Sequence, residues 1–169
     1  WRQTTGRFDV ILAVADTGVD WNDDDYQNNV ALNTAELPLP QLADGSTGLS
    51  YDTDGNGLVN IQDYAQDPRV SFSDGEDAAD GRLDASDLIA RFSDGVDDDQ
   101  NGYPDDIAGW DFFANDNNPY NSFTEGFGTH GSGVIEDIIS EGDDGNGRIG
   151  VCPGCSFVPR SEEHTSELQ

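Results

Sequence analysis

The densest group of metal-ligating residue types lies between Tyr51 and Ala65, in Y-D-T-D-G-N-G-L-V-N-I-Q-D-Y-A. Counted from Asp52, this segment matches the twelve-residue loop of an EF-hand, with oxygen ligands on alternate early positions and a glycine at the sharp turn. The predicted ligands of this first loop are Asp52, Asp54, Asn56, Leu58 (through its carbonyl), Asn60 and Asp63. A polar Asn/Gly turn without metal is the simpler alternative, but the number of matching positions favours calcium.

Two further segments carry parts of the same pattern. In the second loop Ala78 replaces one ligand, so we expect weak binding or none; its candidate ligands are Glu76, Asp80, Asp84 and Asp87. The third loop repeats the early acids before a glycine but has Ala108 where the closing acid should stand. Asp105 or Asp106 must then close it, and its candidate ligands are Asp97, Asp99, Asn101, Tyr103 and Asp106.

Two other residues have types suited to catalysis. Asp16 follows the run Phe8–Ala15, whose only charged residue is Asp9 and which predicts a strand buried on both faces of a parallel sheet. In α/β sheets, catalytic groups lie at the carboxyl ends of such strands. His130 stands in G-T-H-G-S-G, just before apolar residues at helical spacing, so we expect it at a helix start. Histidine is the natural general base near neutral pH, although a turn aspartate and a surface histidine are the plainer interpretations.

The composition excludes some classes of function. The chain has 35 acidic and 7 basic residues and a formal net charge of −28, which disfavours nucleic-acid binding because phosphate contacts need basic side chains. The acids cluster in D-x-D-x-N-G loops, which favours calcium sites over a generally acidic surface. No apolar stretch approaches the length of a membrane span.

The two cysteines, Cys152 and Cys155, form the motif C-P-G-C. Such a motif is compatible with a redox pair, half a zinc site or a local disulfide. A zinc site is disfavoured because the chain has no second cysteine pair and no histidine nearby in sequence. We expect a disulfide in an exported protein, with a pair of free thiols as the alternative.

Four stretches, taken in their order along the chain, resemble the subtilisin-like serine proteases (subtilases, peptidase S8 family). They are A-D-T-G-V-D, D-D-x-N-G-Y-x-D-D-I-x-G-W-D-F, G-T-H-G-S-G and G-V-C-P-G-C-S-F-V-P-R, and the resemblance covers about residues 1–36 and 93–160. It implies that Asp16 and His130 are the aspartate and histidine of a catalytic triad that cleaves protein or peptide substrates. Two departures are Phe127, where the family usually has histidine, and Gly131, where it usually has valine.

The family's G-T-S-x-A stretch, which carries the serine nucleophile, does not occur in this sequence. We therefore expect this polypeptide alone to be inactive, as the first part of a secreted, calcium-stabilised serine endopeptidase. The alternative is a non-catalytic extracellular calcium-binding or adhesion module, or a degenerate protease homologue. A G-T-S-x-A stretch further along the gene would favour the protease.

The predicted fold is α/β, a truncated parallel-sheet subtilase-like domain with an inserted calcium module. Residues 1–45 form its first part, 46–92 an insert resembling an EF-hand pair or dockerin, and 93–159 its continuation. Residues 160–169 resemble the translation of a sequencing adapter and are expected to be non-native. Within the first part, Glu36–Pro38 is predicted to be a surface connection.

Overall fold

The computed structural model describes residues 4–73, 75, 81–120, 129–142, 145 and 147–162. Within them a three-stranded parallel sheet contains β1 (Ile11–Asp16), β2 (Trp110–Asp111) and β3 (Ser156–Ser161), in the order β1-β3-β2. Two α-helices, α1 (Ala85–Phe92) and α2 (Thr129–Ile139), accompany two short 3₁₀ helices, Gln27–Asn29 and Ile61–Tyr64. The predicted α/β fold class is confirmed.

The sheet brings the carboxyl ends of all three strands to one edge. β1 pairs with β3 from Ile11 opposite Ser156 to Asp16 opposite Ser161, and Asp111 of β2 also lies opposite Ser161. Because every pairing is parallel, Asp16 and Asp111 flank Ser161 in one row at this edge. This is the edge at which α/β proteins place their chemistry.

The prediction that β1 is buried on both faces is wrong for the part of the chain that the structure describes. Val14 is buried, whereas Ile11, Ala13 and Ala15 are exposed. Successive strand residues point to opposite faces, so covering one face buries only alternate side chains. Val14 lies in the same buried cluster as Ile135 and Ile139 of α2, and the opposite face of β1 is open to solvent.

The buried apolar side chains of the described residues form one cluster, with members from all three of the ranges 1–45, 46–92 and 93–159. Its largest fully buried members are Trp21, Tyr26, Tyr64, Phe157, Ile61, Leu88, Ile107, Ile135 and Ile139. Tyr26 meets Phe157 edge to face with ring centroids 5.6 Å apart, and Tyr64 meets Phe92 at 5.7 Å. Side chains of residues 46–92 thus share a core with the strands.

The segments after the first and second loops begin with the same capping arrangement. Asn60 caps the 3₁₀ helix and Asp84 caps α1, and in each case an aspartate three residues later accepts a hydrogen bond from the backbone of the cap. This reciprocal capping box satisfies amide groups that have no partner within the helix. Burial raises the pKa of Asp84 to about 6.

The end of the chain continues the sheet further than expected. β3 includes Arg160 and Ser161, the first two residues of the segment predicted to be non-native, and Glu162 N–H donates to the carbonyl of Asp16 at 2.7 Å. Residues 163–169 of that segment lie outside the described residues. Among the residues that the structure describes, no helix combines the length and apolar character needed to cross a bilayer.

Candidate functional site

The structure brings together the two residues proposed for catalysis. Asp16 ends β1, His130 is the second residue of α2, and His130 Nδ1 lies 2.6 Å from Asp16 Oδ1 across 114 residues of sequence. Thr17 N–H donates to the same oxygen at 2.8 Å. An imidazole whose Nδ1–H binds a carboxylate keeps its Nε2 as a proton acceptor, which is the arrangement of a general base.

The exposure of the two side chains differs in a way that suits this role. The Asp16 side chain is 18% exposed, whereas that of His130 is 72% exposed. The carboxylate is therefore sheltered behind the imidazole, and the ring is accessible to a reacting group. A cavity of about 700 Å³ lies elsewhere, and its lining includes Thr5–Phe8, Pro153 and Gly154.

In the first loop, three of the predicted ligands form a carboxylate cluster. Oxygens of Asp52, Asp54 and Asp63 lie within 4.8 Å of one another. The loop is shaped by backbone amides that bind these side chains: Gly57 N–H donates to Asp52 at 3.0 Å and Thr53 N–H to Asp63 at 2.7 Å. The other predicted ligands lie nearby in the same turn, with Leu58 N–H bound to Asn56 Oδ1 and the Asn60 side chain bound to Gln62 N–H.

In the third loop, the cluster includes a residue that sequence analysis missed. Asp99 and Asp106 share a 4.8 Å cluster with Glu36, which precedes Asp99 by 63 residues. Glu36 is buried, and its two carboxylate oxygens accept the N–H groups of Asp99 at 3.1 Å and Asp105 at 3.0 Å. The prediction that Glu36–Pro38 is a surface connection is therefore wrong for Glu36 and Leu37, which are 4% and 5% exposed.

The remaining residues of the third loop have separate positions. Asp97 accepts the Asn101 and Gly102 N–H groups, and Tyr103 N–H donates to Asn101 Oδ1 at 2.7 Å. Asp105 turns away to bind the N–H groups of Asp94 and Gly95 at 2.8 and 2.7 Å. Asp106, rather than Asp105, therefore joins the cluster.

Burial affects the carboxylates of the third loop. It is the largest cause of a raised pKa at both Glu36 and Asp106, and neighbouring acids, Asp99 among them, raise both further. Amide N–H groups of Asn33 and Asn101 donate to this cluster, with Asn33 lying 2.6 Å from Asp106. Burial and the repulsion between these acids therefore both favour the protonated forms of Glu36 and Asp106.

The second loop is only partly described. Glu76 and Asp80 lie outside the described residues, while Asp84 and Asp87 are buried in the capping box of α1. Asp84 accepts the Ser86 amide at 2.6 Å, and Asp87 accepts the Asp84 and Gly75 amides at 3.1 and 3.2 Å. These carboxylates act here as helix caps.

Cys152 and Cys155 are joined by a disulfide. The turn that they close lies against the segment before β1, because Gly154 N–H donates to the Thr5 carbonyl at 2.9 Å. Asn29 Nδ2 lies 2.6 Å from the Cys155 carbonyl oxygen. The turn that the disulfide closes thus stands directly before β3 and is hydrogen-bonded to two other segments of the chain.

The donor chemistry of both carboxylate clusters suits a hard cation. Each brings together three carboxylates, one buried, one partly buried and one exposed, and neither contains sulfur or imidazole. Oxygen-only sets of this kind are typical of Ca²⁺ or Mg²⁺ rather than zinc or copper. Both clusters could therefore hold a metal ion.

No protein-family model matches the chain, and a search of curated proteins finds no similar sequence.

Proposed function

We propose that this chain carries the aspartate and histidine of a serine endopeptidase of the subtilase type. The observation that carries the proposal is the 2.6 Å contact between His130 Nδ1 and Asp16 Oδ1 at the carboxyl edge of a parallel sheet. Its support from sequence is the order of the four subtilase-like stretches, two of which contain these residues. The protein would be secreted and would act on polypeptides.

The proposed roles follow from the chemistry of a triad. His130 would take the proton of a serine hydroxyl through Nε2 as that oxygen attacks the peptide carbonyl, and would then pass the proton to the leaving amine. Asp16 would hold the ring with its proton on Nδ1 and stabilise the imidazolium that forms. In the family the serine comes from a G-T-S-x-A stretch that follows these segments.

Calcium would have a structural role in this proposal. Asp52, Asp54 and Asp63 would hold one ion, and Glu36, Asp99 and Asp106 a second. Neutralising three carboxylates at each place would order the loops and relieve the repulsion within a chain of net charge −28. The abundant calcium outside cells agrees with an exported protein.

The test is to express the chain together with the sequence that follows Pro159 in its gene and to measure cleavage of an unfolded protein substrate. In subtilisin itself, the source of these magnitudes, loss of the triad histidine lowers kcat about a million-fold and loss of the aspartate about 10⁴-fold. We expect losses of this order for His130→Ala and Asp16→Asn.

The matched control is Asp9→Asn, because it makes the same chemical change as Asp16→Asn at a side chain that is 62% exposed and has no part in the proposal. This variant should keep full activity. Proteolysis that survives His130→Ala, or a gene that lacks the serine stretch, would refute the protease assignment and favour a calcium-binding module.

A further inference from the structure

Two glycines near the start of helix α2, Gly131 and Gly133, have different surroundings. At Gly131 an added Cβ would overlap the carbonyl oxygen of Gly18 and would lie 3.1 Å from Gly18 N and 3.3 Å from Asp16 Cβ. At Gly133 an added Cβ would meet no atom within 4 Å. The backbone of α2 therefore approaches the segment after β1 so closely at Gly131 that no side chain fits between them.

Two hydrogen bonds hold the helix start in this position. Gly131 N–H donates to Thr17 Oγ1 at 3.1 Å, and Asp20 N–H donates to Ser132 Oγ at 2.9 Å. Ser132 is 1% exposed. Three consecutive residues of α2, beginning with His130, thus each contact a residue of the segment Asp16–Asp20, and these bonds satisfy amides that would otherwise lack partners.

The segment that receives α2 is itself fixed. Tyr26, which is fully buried, donates its hydroxyl to the Asp20 carbonyl at 2.6 Å, and burial raises the pKa of this phenol. Val19 N–H donates to the Pro119 carbonyl at 2.9 Å. Any retreat of the receiving backbone to make room for a bulkier residue at position 131 would therefore strain these hydrogen bonds.

The position of the start of α2 matters because the His130 ring is mostly exposed to solvent. Its side chain is 72% exposed, so the path of the backbone decides whether Nδ1 reaches Asp16. A displacement of the helix start by the width of a methyl group would lengthen the 2.6 Å contact beyond hydrogen-bonding distance.

We infer that Gly131 and the hydroxyl groups of Thr17 and Ser132 hold the start of α2 in the position at which His130 Nδ1 contacts Asp16. These three are positioning residues. The catalytic meaning of this inference rests on the proposed function. The geometry can be tested without any activity.

The experiment is NMR spectroscopy of the full chain labelled with ¹⁵N in its histidine rings, at pH 8, where an ordinary imidazole is neutral. His164→Gln identifies the His130 signals. With Asp16 as acceptor, we expect the His130 proton to reside mainly on Nδ1. In Gly131→Ala the ratio of the Nδ1–H to the Nε2–H tautomer should fall about tenfold, the equivalent of one lost hydrogen bond.

Gly133→Ala is the matched control, because it makes the same chemical change in the same helical turn and gains the same helix propensity. It should keep the parent tautomer ratio. Equal ratios in Gly131→Ala and Gly133→Ala would overturn the inference.

Two smaller changes keep the test decisive should Gly131→Ala fail to fold. Thr17→Val and Ser132→Ala each remove one hydroxyl without adding bulk, and each should lower the Nδ1–H population, whereas Thr17→Ser should restore it. Unchanged ratios in both hydroxyl variants would also overturn the inference.

The outcomes separate this inference from the proposed function. If the longer protein is not a protease but Gly131→Ala still shifts the tautomer, the positioning role stands and the protease assignment fails. If proteolysis is confirmed but Gly131→Ala leaves the tautomer unchanged, only the positioning role fails.

Discussion

The first and third loops share a hydrogen bond from their sixth residue to their first, but they are closed by different parts of the chain. In each loop the amide of the sixth residue binds the first aspartate, Gly57 to Asp52 at 3.0 Å and Gly102 to Asp97 at 2.8 Å. Both glycines are left-handed, with φ of 87° and 97°. The pattern D-x-D-x-N-G thus builds the same turn twice, and each turn presents carboxylates in a three-acid cluster.

A carboxylate closes each loop, but Asp63 belongs to the first loop itself, whereas Glu36 lies far from the third loop in sequence. Asp63 accepts the Thr53 and Asn60 amides, which lie ten and three residues before it. Glu36 accepts the Asp99 and Asp105 amides, which lie 63 and 69 residues after it. A short motif therefore determines its own turn, whereas the residue that completes the cluster can come from any segment that the fold brings near.

The largest expected effect on the free energy of unfolding comes from removing the closing residues Glu36 and Asp63. Glu36→Ala and Asp63→Ala each leave two backbone amides without acceptors, at about 1–3 kcal/mol per amide. We expect Glu36→Ala to lower the free energy of unfolding more, because Glu36 fastens the third loop to a distant segment. Urea denaturation measures both variants, and a larger loss for Asp63→Ala would contradict this view of the two loops.

Calcium should stabilise the chain through both loops independently. At calcium concentrations about 100 times the Kd, each occupied site adds about 2.7 kcal/mol to the free energy of unfolding. Asp54→Asn and Asp99→Asn change the matching third residue of each loop, so each should abolish one increment and keep the other. Thermal unfolding with calcium and with EDTA tests this, and a melting curve indifferent to EDTA would exclude a calcium role.

At the third loop, both the stability and the affinity for calcium should depend on pH. Since the folded-state pKa values of Glu36 and Asp106 are raised, the stability gained from their protonated forms is full at acidic pH and is lost as the pH rises through those values. Calcium binds the deprotonated forms, so its affinity at this loop should fall as the pH is lowered toward these raised pKa values. Calorimetric titration of Asp54→Asn isolates this loop, and a pH-independent affinity would count against Glu36 as a ligand.

The smallest expected effect concerns Asp84, which caps α1 after the second loop as Asn60 caps the 3₁₀ helix after the first loop. The pKa of Asp84 is raised to about 6, so its contribution to stability is full below about pH 4 and is lost as the pH rises through 6. Asparagine caps helices as well as aspartate does. Asp84→Asn should therefore remove this part of the pH dependence and cost under about 1 kcal/mol at pH 4. Parallel pH–stability curves for both proteins would refute it.

The sequence alone determined the features that depend on neighbouring residues. The spacing of Asp52, Asp54 and Asp63 predicted a cluster that the structure contains, and the apolar spacing after His130 predicted the helix that begins beside it. Such features follow from hydrogen bonds and side-chain directions over a few residues, which the order of residue types encodes directly.

Only the tertiary structure decided which distant residues meet. Glu36 carries no motif that marks it as the third acid of a cluster, and nothing near Gly131 in sequence indicates that Gly18 leaves no space for a side chain. The apolar run of β1 likewise could not show that the described chain covers only one of its faces. These outcomes depend on the path of the chain between residues tens of positions apart, which no local spacing records.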